Sequence, residues 1–170
     1  MSDVDGFGGS AALAVLTAAP TATPVATPNS IPQAHIPLSN IQSIYREADD
    51  PAKPKSVALR RELDWVSGLS FSTTIPVRKS YVTYDVQTLL ANGYTVRFDS
   101  GYAITDLHTG QPPDPQKYPT LQRVFGKNHV SVYLPDMTEW DEWYQAEQMT
   151  KAQQGGVSIE TLRLWDLRKP

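Results

Sequence analysis

Tyr94-Thr95-Val96-Arg97-Phe98-Asp99-Ser100-Gly101-Tyr102-Ala103-Ile104-Thr105-Asp106-Leu107 carries the clearest structural signal in the chain. Two alternating runs flank three residues of turn-forming type, and a short Gly-containing loop between such runs predicts a β-hairpin. Other strand signals lie on both sides of it. Phe71 to Ile75 is rich in β-forming residues, Tyr81 to Val86 alternates, and His129 to Leu134 reads as a further strand. Thr88 to Gly93 reads as one helical turn closed by Gly93, and Leu121 to Phe125 as another. His108 to Pro119, with Pro112, Pro113, Pro115 and Pro119, is a loop.

Helical signals stand at the two ends of this strand region. Ser39 is placed to cap a short helix with Ile41, Ile44, Tyr45 and Ala48 on one face. Ser56 is placed to cap a second, carrying Val57, Leu59, Leu63 and Val66 and stopped by Gly68. Asp136 or Thr138 caps the best helix, which runs to about Gln154, with acids in its first turn and Lys151 near its end. Ser158 to Leu167 is read as a last helix. Helices, then strands in succession, then helices predict an α+β fold: a small antiparallel sheet with flanking helices.

Residues 1–38 differ in kind. From Met1 to Tyr45 there is no Lys or Arg, and the acids are Asp3 and Asp5 alone. Pro20, Pro24, Pro28 and Pro32 recur every four residues, with Thr, Ala, Val, Asn and Ser between them. Proline fixes φ and biases its predecessor toward extended backbone. This segment is therefore read as an extended Pro/Thr/Ala-rich N-terminal arm, able to reach roughly 115 Å at about 3.1 Å per residue. The remainder, 39–170, is read as one globular domain.

Composition excludes several classes of function. The 170 residues contain no cysteine, which removes disulfide frameworks, thiolate nucleophiles and cysteine zinc sites. A net charge of −3 leaves no basic surplus for phosphate contacts, which argues against nucleic acid as a partner. No apolar run approaches the roughly 18 residues of a membrane span, and the acidic start is unlike a signal peptide. Synthesis in the cytoplasm as a soluble protein is expected.

The Asp99-Ser100-Gly101 triplet resembles the Asp-Ser/Thr-Gly element of aspartic proteases of the retroviral type, where two such aspartates share a proton across a dimer. The resemblance implies a hydrolase with Asp99 as its acid. The chain departs from that pattern at Tyr102, where a small residue usually follows, and Val124-Phe125-Gly126 is a poor stand-in for the downstream apolar-apolar-Gly element. A turn between strands accounts for the same three residues. Three other groups bear on chemistry. His35, His108 and His129 show no metal-ligand spacing. Asp106 and His108 are two apart, so a strand would put them on one face. Glu139, Asp141 and Glu142 share a helical turn with Trp140, Trp143 and Tyr144, a pattern that fits a dipole-biased helix start and a core stripe, or an aromatic surface for a partner or glycan.

No Gly-rich phosphate loop, nucleophile elbow or spaced Ser/His/Asp set is legible. No catalytic residue, metal or cofactor is assigned, and no enzyme is expected. The expected function is a structural or adaptor subunit of a larger assembly, such as a phage or viral particle. Its arm would clamp neighbouring protein subunits in a homo- or hetero-oligomer through Pro20, Pro24, Pro28, Pro32 and Ile36. The alternative is a partner- or glycan-binding module using Trp140, Trp143 and Tyr144. A hydrolase of aspartic-protease type at Asp99 is the remote alternative.

Overall fold

The computed structural model describes residues 41–59, 62–153 and 155–170. The strands are β1 (Ser43–Glu47), β2 (Leu69–Ser72), β3 (Tyr81–Asp85), β4 (Thr95–Phe98) and β5 (His129–Tyr133). The helices are α1 (Glu62–Ser67), α2 (Val86–Ala91), α3 (Met137–Ala152) and α4 (Ile159–Asp166), with a 3-10 turn at Pro54–Val57. One sheet of order β3-β1-β2-β5-β4 runs through the molecule, and every neighbouring pair is antiparallel. The fold is α+β, as the order of sequence signals implies. The expected arm and its Pro20, Pro24, Pro28, Pro32 and Ile36 contacts lie outside the described residues.

Three local expectations are corrected. Residues 43–47 form a strand, not a helix. Ile44 and Arg46 face the core while their neighbours are less buried. A charged residue at a core-facing position disguises the period of two. Arg46 is only 1% exposed, and its guanidinium donates to the carbonyls of Ser70 (3.1 Å) and Ala58 (3.0 Å) and pairs with Asp64 at 3.4 Å. Those contacts satisfy most of a charge that would otherwise be costly to bury. They also bear on the second correction. The single helix expected from Ser56 to Val66 is two separate pieces, broken at extended Ala58, whose carbonyl Arg46 captures.

The third correction concerns the hairpin. β4 pairs with β5, so that Val96 faces Val132 and Phe98 faces Val130. Val130 and Val132 of that partner also pair with Phe71 and Leu69 of β2, so the pairing joins β4 to the rest of the sheet. Asp99–Tyr102 does turn, closed by the Tyr102 amide donating to the Asp99 carbonyl at 2.9 Å, with Gly101 at φ 77°. The chain then crosses to residues 123–125. Gly101 donates to the Phe125 carbonyl, Phe125 to that of Tyr102, and Ile104 to that of Arg123, each at 2.9 Å. Leu121 to Phe125 is therefore not a helical turn but the partner of this short ladder.

Polar side chains cap the starts of α2, α3 and α4. Asp85 accepts from the Thr88 amide at 3.0 Å to start α2, Asp136 from Glu139 at 2.9 Å to start α3, and Ser158 from Thr161 at 3.2 Å to start α4. The aromatic stripe of α3 belongs to the core. Trp140 and Trp143 are fully buried, in edge contact at 5.7 Å, and Tyr144 is half-buried against Trp65. Trp140 donates to the Trp65 carbonyl at 3.0 Å, and Trp143 to Thr161 at 3.0 Å. This leaves no exposed tryptophan face on α3. Buried Glu147 takes the amide of Ser158 at 3.0 Å and the hydroxyls of Ser158 and Thr161, which ties α4 to α3.

A hydroxyl–imidazole–carboxylate candidate site

Strand alternation puts one set of side chains on the sheet face opposite Leu69, Phe71, Val96, Val130 and Val132. That set is Ser70 and Ser72 on β2, His129 and Ser131 on β5, and Arg97 on β4. Register brings them together: Ser70 lies opposite Ser131, Ser72 opposite His129, and Arg97 opposite Ser131. Asp99, two residues beyond Arg97, continues on the same face, and its amide donates to the His129 carbonyl at 3.3 Å.

The side chains form a continuous line. Asp99 Oδ1 lies 2.6 Å from His129 Nδ1. His129 Nε2 lies 3.0 Å from Ser70 Oγ. The other carboxylate oxygen of Asp99 accepts from the Ser131 hydroxyl at 2.6 Å. Asp99 and Ser131 are fully buried, the His129 side chain is 15% exposed, and Ser70 is exposed. A carboxylate can only accept, so His129 carries its proton on Nδ1. In the neutral ring this tautomer turns a lone pair of Nε2 toward the Ser70 hydroxyl.

The surroundings hold the line in place. The Phe125 ring stacks on the imidazole with centroids 4.4 Å apart. The segment leading into β5 is pinned where the Asn128 amide donates to Ser100 Oγ at 3.1 Å and the His129 amide to the Gly126 carbonyl at 3.2 Å. Arg97 lies 93% buried with its guanidinium over the Tyr102 ring at 5.2 Å. Tyr133 donates to the Ser67 carbonyl at 3.2 Å; burial pushes its phenol well above the usual range, and the negative charge of Asp99 adds to that. Gly68, just before β2, sits at φ 103°, and a Cβ there would come 2.4 Å from the Tyr133 ring. Glycine is required for β2 to start this close to β5, and so for Ser70 to reach His129.

Ser70 stands between two depressions. One, of about 260 Å³, is lined by His129, Phe125, Leu63, Ile104 and Leu121. The other, of about 300 Å³, is lined by Tyr45, Ser72, Thr74 and Ile75, with Arg46 and Asp64 contributing.

Of the residues singled out in sequence, Asp99 and His129 enter this line, although the sequence did not pair them. Asp99 has no exposure, and its oxygens are held by His129 and Ser131. Asp106 accepts from the His108 amide at 2.8 Å, and the His108 ring stacks on Trp65 at 3.8 Å and lies 3.9 Å from Asp141. That pair is separate from Ser70. Ser70 and Ser131 drew no attention in sequence. Their signal is the polar phase of two alternating strands, and only the register couples it to Asp99. Among the described residues there is no group of three His, Asp or Glu suited to a metal, and no helix long and apolar enough to cross a membrane.

Comparison with protein-family models, with curated proteins and with solved structures gives no match to this chain.

Proposed function

We propose that this chain is a serine-type hydrolase of esters or activated amides, with Ser70 as nucleophile. The observation that carries the reading is the line from exposed Ser70 through His129 to buried Asp99, with heavy-atom distances of 3.0 and 2.6 Å. A serine hydroxyl is a weak nucleophile until a base within hydrogen-bond reach takes its proton, and that base needs a third group to hold its tautomer. The Ser70 oxygen attacks the substrate carbonyl carbon as its proton passes to His129 Nε2. The bond to the leaving group breaks, and the leaving oxygen or nitrogen takes that proton. Water repeats the sequence on the acyl-serine, releasing the carboxylic acid and restoring Ser70.

The test uses the full chain and a fluorophosphonate, which reacts with activated serines without a substrate being known. Labelling read by peptide mass spectrometry is expected at Ser70 and lost in Ser70→Ala. Because the chain has no cysteine, Ser70→Cys creates a unique thiol. Its alkylation by iodoacetamide is expected to slow at least about tenfold when His129→Gln is added. A thiol indifferent to His129, with no serine labelled in the wild type, sinks the proposal.

A second reading is the non-catalytic assembly subunit, favoured by the 45-residue stretch without Lys or Arg and its four-residue proline spacing. Under it, deleting residues 1–37 converts an oligomer or co-purifying complex to a monomer by light scattering, and Ser70→Ala changes nothing. An unchanged solution mass removes it.

A further inference from the structure

The cavity beside Ser70 shares Ile104, Leu121, Gln122 and Val124 with a larger neighbouring cavity of about 520 Å³ whose remaining lining includes Pro112, Pro119 and Tyr118. That volume lies in the range of small-molecule sites, roughly 300–1,000 Å³. Its walls are unusual for a surface loop. Proline has no amide donor and little freedom to lose, so the proline side of this wall is stiff and poor in hydrogen-bond donors, and Gln122 and Arg123 are its polar members. Ile104 and Tyr118 are buried, and Val124 stays 48% exposed, an apolar side chain left for something to cover.

We infer, on the premise that Ser70 is the nucleophile, that the acyl group is a neutral, medium-length apolar chain. It runs from Ser70 past Leu121 into the proline-walled cavity. Burying each methylene there favours the longer ester roughly fourfold. The loop from His108 to Pro119 thus sets specificity, and the sheet supplies the reacting groups.

The experiment follows p-nitrophenyl acetate, butyrate and octanoate, below the concentrations at which they aggregate, with Ser70→Ala as background. The full chain is expected to show kcat/KM rising at least about tenfold from acetate to octanoate. Leu121→Ser is expected to cut the octanoate-to-acetate ratio about tenfold; if that variant does not fold by circular dichroism, Val124→Ser replaces it with the same expectation. Esters cleaved above the Ser70→Ala background with no dependence on chain length, or with a ratio untouched by the lining variant, overturn the inference and leave the hydrolase standing. Esters cleaved no faster than by Ser70→Ala, with no fluorophosphonate label, overturn the hydrolase and this inference with it.

Discussion

Asp99→Asn is expected to fold and to lose about 10³- to 10⁴-fold of the Ser70-dependent turnover. The reasoning is one of proton placement. Ser131 donates to one oxygen of Asp99 and His129 faces the other. An asparagine keeps its carbonyl toward Ser131, since that hydroxyl donates, and so turns its NH₂ toward His129 Nδ1. Nδ1 must then accept, and the ring proton moves to Nε2. A protonated Nε2 cannot take a proton from Ser70, so the nucleophile is lost while every heavy atom stays in place. Turnover of p-nitrophenyl butyrate beside a thermal melt separates the two effects. The expected result is a large loss of rate with a melting temperature lowered by only a few degrees. A variant as active as wild type would show that Asp99 does not set the tautomer, and the relay would be a structural hydrogen-bond network.

Trp140→Ala is expected to remove about 3–5 kcal/mol of stability, a large part of the roughly 5–15 kcal/mol a domain has. The side chain is fully buried, packs on Trp143 and Tyr133, and donates to the Trp65 carbonyl. Truncation removes apolar burial, leaves a cavity among rigid aromatic rings that cannot collapse into it, and takes a donor from a carbonyl at the end of α1. The urea midpoint reads this directly, with an unchanged slope expected if the denatured state is unaffected. A loss under about 1 kcal/mol would mean that α3 is not an integral wall of the core. Tyr133 stands between Trp140 and the Ser67–Gly68 corner that starts β2. Damage at Trp140 should therefore loosen Ser70 as well, and partial loss of fluorophosphonate labelling is expected to accompany the loss of stability.

Sequence signals mark α3 from Asp136, the last helix from Ser158 and a helical turn from Thr88 within α2, and the caps Asp85, Asp136 and Ser158 each bind an amide three residues away, within the span of one helical turn. The same local rules placed β2, β3 and β5 to within a few residues. They failed at β1, where a buried arginine sits in the apolar phase of the strand, since its partners Ser70, Ala58 and Asp64 are 12 to 24 residues away. They failed again at Asp99-Ser100-Gly101. The turn forms there, but β4, which leads into it, pairs with Val130 and Val132 some thirty residues on and not with the residues that follow the turn.

Short-range physics thus determined the fold class, the positions of α2, α3 and α4 to within a few residues, and most strand positions. Which strands adjoin, and in what register, was decided only in the tertiary structure. The candidate site depends on that second kind of choice. Ser70, Asp99 and His129 come from three strand regions, and each looks ordinary alone: a polar residue in the outward phase of a strand, or a turn aspartate. A shift of β5 by one residue would send His129 to the opposite face of the sheet. What holds the register is the burial of Val130 and Val132 against Leu69, Phe71, Val96 and Phe98, a cooperative property of the whole core that no window of sequence contains.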